Sequence, residues 1–137
     1  MSTLKTNTIQ HLTSGFNNIV THTDGAGTVN AAHCRAWVNF DGTGTPSIRA
    51  SFNVSSITDN GTGDYTANFT NAMSDTNYTF TSGGHNTGAG DGGWISTGNG
   101  GGAYPAGVNT GSVRIHSFHN TNGGYQDNAG IFITIHR

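Results

Sequence analysis

At 137 residues the chain has room for one domain and a short segment in front, and five Lys plus Arg at a formal net charge of −2 argue against a nucleic-acid partner. Leu, Ile, Val and Phe total only 24, but the small charge and strong alternation exclude a disordered chain. With no Glu, two Leu and one Lys against 22 Gly, a long helix is excluded too, and the class is all-β.

Residues 1–15 are polar, with Leu4, Ile9 and Leu12 as the large apolar groups; they read as a frayed terminus or as an arm that orders on a partner. Phe16 to His33 predicts a hairpin, with strands near Ile19–His22 and Thr28–Asn30 around an Asp24-Gly25-Ala26-Gly27 turn. Residues 1–33 thus form an attachment arm and hairpin, ahead of a β-sandwich module over 34–137.

From Ala36 to Phe80 apolar and polar residues alternate with a period of two. Ala36, Val38 and Phe40 form one apolar set, Ile48, Ala50, Phe52 and Val54 a second, and Tyr65, Ala67 and Phe69 a third, followed by Tyr78 and Phe80. Such alternation describes half-buried antiparallel strands. The separators 41–46 and 59–64 carry the Gly, Asn and Asp of turns. The opposite face is polar except for Trp37, expected to cover the sheet's end or to sit in a subunit contact. Residues 71–76 read as a loop.

Between Gly83 and Gly111, 12 of 29 residues are Gly. This composition predicts one or two long surface loops around a short strand near Trp94, read either as a flexible insertion or as a recognition loop that displays Trp94 and Tyr104. Ser112 to Asn120 predicts a strand with Val113 and Ile115 on one face and Arg114, His116 and Phe118 on the other. Thr121 to Gly130 is a polar loop, and Ile131 to His136 a central, buried strand. About eight strands in all fit an antiparallel sandwich or jelly-roll with Gly-rich loops.

The run AWVNFDGTGTPSIRASFNVSSITDNGTGDYTANFTNAM, with NYTF after it, resembles a segment of tail-fibre-like proteins from marine tailed phages. The opening MSTLKTNTIQ and the ending GIFITIHR are similar to the start and end of those proteins, and together these stretches span about half the chain. The resemblance implies a homotrimeric virion fibre or adhesin on the tail or capsid surface. Its N-terminal segment would join other virion proteins, and its partner would be a host-surface glycan or protein. A head fibre or capsid decoration without a specific receptor is the alternative.

Catalytic chemistry finds little footing. The seven carboxylates are all Asp, and Asp24, Asp41, Asp59 and Asp64 fall in apparent turns, so the carboxylate pair of a glycosidase is not evident. No G-x-S-x-G elbow and no P-loop occur. The seven His lack HExxH spacing, and His116 and His119, three apart in a strand, cannot chelate one ion together, although a threefold axis would bring three copies of one His to a metal. No cofactor is expected. Cys34, alone, excludes an intrachain disulfide and is expected to be a buried small side chain. With no apolar h-region after Met1 and no membrane-length run, neither a secretory route nor membrane insertion is expected. Binding remains. Aromatic faces stack on sugar C–H groups while amides, carboxylates and imidazoles satisfy hydroxyls. His85, Asp91, Trp94, Asn99, Tyr104, Tyr125, Gln126 and Asp127 are the residues suited to that role.

Overall fold

A computed structural model describes residues 21–24, 27–30, 34–85, 94–97, 107–119 and 123–137. The chain divides into two compact units, Met1–Ala32 and His33–Arg137. In the first, β1 (Thr21–Asp24) pairs antiparallel with β2 (Gly27–Asn30), Thr21 opposite Asn30.

The second unit holds eight strands in two antiparallel sheets: β3 (Cys34–Asp41), β4 (Ser47–Phe52), β5 (Val54–Gly61), β6 (Asp64–Phe69), β7 (Thr79–His85), β8 (Trp94–Thr97), β9 (Ser112–Phe118) and β10 (Gly130–His136). The first sheet runs β4-β3-β10-β7 and the second β5-β6-β9-β8. The pairs β3·β10 and β6·β9 are nested in sequence, an outer pair enclosing an inner one across the two sheets. No helix occurs among the described residues.

Alternation decides the core. Ala36, Val38 and Phe40 of β3 and Ile131, Ile133 and Ile135 of β10 face Tyr65, Ala67 and Phe69 of β6 and Val113 and Ile115 of β9 in one continuous cluster. Phe40 meets Tyr65 edge-on at 5.3 Å across the sheets. The last strand is central, between β3 and β7, as its three Ile predicted.

The β4 set departs from expectation. Ile48, Ala50 and Phe52 are exposed, and only Val54 of that run is buried. A register shift between Asn39 and Phe40 leaves Arg49 unpaired, so Ile48 sits opposite Phe40 while Phe52 sits opposite Trp37 on the outer face. As an edge strand, β4 lacks a neighbour on one side, and all six of its residues are exposed. Cys34 is also exposed rather than buried, because it opens β3 where the ladder ends opposite His136. The Gly-rich segment is more ordered at its start than its composition suggested: Gly83 and Gly84 belong to β7. A Cβ at Gly83 would lie 2.2 Å from the Phe132 ring, so a larger residue there requires that half-exposed ring to swing aside. Val108, placed in the same segment, is buried and bridges Val113.

Two polar devices close the sandwich. Asn53, between β4 and β5, adopts φ 55 and lets the chain pass from one sheet to the other. Its Nδ2 donates to the carbonyls of Arg35 and Asn71, both at 3.0 Å, and its Oδ1 accepts from the Asn71 amide at 2.8 Å. At the other end the Tyr65 hydroxyl lies 2.6 Å from Asp127 Oδ1 and 2.9 Å from the Gly42 carbonyl. Asp127 Oδ1 also accepts from the Gly63 amide at 2.7 Å. Gly63 has φ 63, and a Cβ there would lie 2.5 Å from the Ser117 carbonyl.

Replacing Asn53 with Ala removes these bonds and leaves at φ 55 a residue without the polar side chain by which Asn tolerates the left-handed region, for an expected loss of about 2–3 kcal/mol. Asn53→Gly keeps the conformation and should lose about 1 kcal/mol less. Urea midpoints of the two variants check the order; equal midpoints would remove the backbone part of the argument. Burial and Asp127 push the Tyr65 phenol far above its ordinary pKa of 10. The unfolded phenol therefore ionises first, and Tyr65's contribution, complete below pH 10, is lost as pH rises beyond it. Melting temperature should fall more steeply above pH 10 in the wild type than in Tyr65→Phe, and parallel curves would contradict this.

Candidate functional site

The outer face of the second sheet carries ionisable and aromatic groups that the strand register brings together. In the β6·β9 ladder Asp64 lies opposite His116 and Thr66 opposite Arg114. The Arg114 guanidinium grips Asp64 with a two-point fork, Nε to Oδ1 at 2.8 Å and Nη2 to Oδ2. Asn60 Nδ2 adds a longer bond to Oδ1 at 3.3 Å. The Arg114 bonds hold the Asp64 carboxyl below its usual range against the opposing effect of burial. Asp64 is therefore an ionised acceptor, not a proton donor, at neutral pH.

Next to this pair stands a cluster of three rings. His116 is 2 % exposed, with Nε2 3.4 Å from Asp64 Oδ1. Tyr125 tilts against His116 at 5.2 Å and stacks on Phe118 at 5.0 Å with an interplanar angle of 24°. Phe118 meets His116 edge-on at 6.2 Å. The chain reverses after β9 to bring Tyr125 back: His119 N donates to Gly124 O at 2.8 Å, Phe118 and Tyr125 form a bridge, and Gln126 N donates to Ser117 O at 2.9 Å. Tyr125 remains 47 % exposed, so the site presents a phenol ring supported by two others and flanked by an ion pair. Toward β5 the face becomes an amide and hydroxyl lattice, with Asn68 Nδ2 donating to Thr58 Oγ1 at 2.9 Å and Asn60 Nδ2 to Thr66 Oγ1 at 2.9 Å.

Of the residues singled out from sequence, Tyr125 stands at the centre of this surface. Gln126 and Asp127 follow it, but Asp127 turns inward to Tyr65 and Gly63, and Gln126 Oε1 is buried. His85 is exposed at the end of β7 in the other sheet, opposite Gly130. Trp94 opens β8 opposite Phe118 in the ladder; its side chain, and all of Asp91, Asn99 and Tyr104, lie outside the described residues. The sequence reading missed Asp64, Arg114, His116 and Phe118 as site members. The 114/116/118 spacing placed three of them on one face, but nothing in the sequence placed Asp64 beside them.

Among the described residues no three His, Cys, Asp or Glu side chains are grouped to hold a metal ion. Comparison with protein-family models, curated proteins and solved structures finds no match to this chain.

Burial lowers the His116 pKa below its ordinary 6.5, with Asp64 opposing the shift in part. The unfolded chain then takes up the proton first. His116's contribution to stability is full above pH 6.5 and is lost as pH falls through and below that value. Between pH 7.5 and 5.5 the melting temperature of wild type should drop further than that of His116→Gln. An identical drop in both would show that His116 does not cause it.

Proposed function

We propose that the chain is a non-enzymatic attachment module of a phage virion, homotrimeric, that binds a host-surface glycan through the Tyr125 surface. The observation that carries this reading is the half-exposed Tyr125 ring backed by Phe118 and His116 beside the Asp64–Arg114 fork. A pyranose ring offers an apolar C–H face and a rim of hydroxyls. The phenol ring suits the first, while Asp64, Arg114 and the Asn60/Asn68 lattice supply acceptors and donors for the second. Stacking of Tyr125 on Phe118 holds the ring in place before the ligand arrives, which lowers the entropy cost of binding. The resemblance of Ala36–Met73 to tail-fibre-like proteins supports a place on the virion surface, at tail or capsid, with the N-terminal segment joined to other virion proteins.

A structural role without a receptor is favoured by a different observation, the aromatic outer face of the first sheet, which suits burial against protein. The two readings part at Tyr125. Truncation of an aromatic at a binding hot spot typically costs about 1–3 kcal/mol, so Tyr125→Ala should weaken adsorption to host cells or their purified surface glycans about 5- to 150-fold. Melting temperature of the same variant monitors the lost stacking. Unchanged adsorption in the folded variant would leave the structural role standing. Native mass measurement should give three times the 14.2 kDa chain mass.

A further inference from the structure

His116 lies on the outer face of the second sheet, yet it is 2 % exposed. Its ladder neighbours, Asp64 of β6 and Ser96 of β8, close it in on both sides. Over it lie the half-exposed Tyr125 ring, at 5.2 Å, and the edge of Phe118. Water therefore reaches the imidazole when Tyr125 lifts. We propose that His116 is a proton-operated latch: when it takes up a proton, Gly123–Gln126 lifts off the end of β9 and carries Tyr125 away, while the sandwich beneath stays folded. This goes beyond the binding reading above and does not depend on it.

The segment is built to open locally. Backbone bonds hold it to β9, from His119 N to Gly124 O at 2.8 Å and from Gln126 N to Ser117 O at 2.9 Å, with Gly123 N donating to His119 O at 3.2 Å. Its large side chain, Tyr125, packs on the outer rings and takes no part in the core. From the next residue onward the chain is fastened. Asp127 binds the Tyr65 hydroxyl and the Gly63 amide, and Asn128 Nδ2 donates to Ser117 Oγ at 2.6 Å. An opening that begins at Gly123 therefore stops at Asp127, the pattern of a local rather than a global transition.

The charges around the ring favour this outcome. An imidazolium beneath Tyr125 is cut off from water, and the Arg114 guanidinium two residues away on β9 repels it. Asp64 is the carboxylate that faces it, at 3.4 Å, but Asp64 is committed to the Arg114 fork and to Asn60. Ser96 brings no charge from β8, Asp127 turns inward to Tyr65, and the Tyr125 phenol is neutral at this pH. Burial outweighs the attraction of Asp64, so the enclosed ring is the weaker base and the uncovered ring the stronger one. Acid therefore favours the open form as pH falls through about 6.5 and below. His119, just past β9, is the other imidazole beside the segment and serves as the control.

The test is amide hydrogen exchange in the full chain, read by NMR and corrected for the intrinsic pH dependence of exchange. The Gln126 amide should be at least about tenfold less protected than the amides of central strand β10, which marks its opening as local. One proton linked to opening caps the rise in its opening constant at about tenfold between pH 7.5 and 5.5, and a rise of at least about threefold is expected. His116→Gln should abolish the rise and His119→Gln should keep it. Equal protection of Gln126 and β10, no rise in acid, or a rise that persists in His116→Gln each overturns the latch. If His116→Gln fails to fold, the wild-type titration decides. The His116 imidazole and the Tyr125 ring signals should then shift with one midpoint, and Tyr125→Ala, by removing the cover, should bring the His116 midpoint up toward 6.5. Separate midpoints for the two rings, or a His116 midpoint unmoved by Tyr125→Ala, overturn the proposal. None of these readouts involves a glycan, so a failure of binding and a failure of the latch are told apart.

Discussion

One buried phenol organises an entire end of the sandwich. Tyr65 is fully buried, and its hydroxyl would carry a large desolvation cost if left without a partner. The Asp127 carboxylate removes that cost and in the same stroke fixes the Gly63 turn, while the Gly42 carbonyl draws in the loop after β3. Gly42 N in turn donates to Asn128 O at 3.0 Å, so three connections between strands are secured around one side chain. Position 42 tolerates no larger residue, since a Cβ would lie 2.7 Å from the Tyr65 hydroxyl. The Tyr125 surface inherits this arrangement. Tyr125 stands two residues before Asp127, so the ring offered to solvent is held in place by a carboxylate bound on the opposite side of the chain.

The fold was largely legible because burial is two-valued along most of these strands. Ala36, Val38 and Phe40, or Ile131, Ile133 and Ile135, have a core on one side only, and a period of two states that directly. The reading failed at β4 for an equally physical reason. A bulge at Arg49 and a left-handed residue at Asn53 each alter the phase, and a phase change leaves no mark in hydropathy. Asn53 looked like one more polar residue on an outer face. Its importance lies in a backbone angle and in bonds to Arg35 and Asn71, eighteen residues away on either side.

The site was legible in kind more than in membership. Tyr125 was visible as a large aromatic in a polar loop, and Asp127 as a carboxylate beside it. Which of the two faces solvent depends on Tyr65, which the sequence presents only as a core residue. His116 likewise shares the outer face with Arg114, as alternation predicted, yet it is buried because Tyr125 folds back over it. Cross-strand partnership, such as Asp64 with Arg114, is set by register, and register emerges only when the sheet is assembled.

The recess at Gly83 has a consequence for how such a chain can change over time. Phe132 occupies the space that any side chain at 83 would need, and the two residues are opposed in the β7·β10 ladder. The two positions are therefore coupled: a larger residue at 83 needs 132 to become smaller or its ring to turn outward. Part of what reads in the sequence as glycine excess is thus the negative imprint of an aromatic ring forty-nine residues downstream.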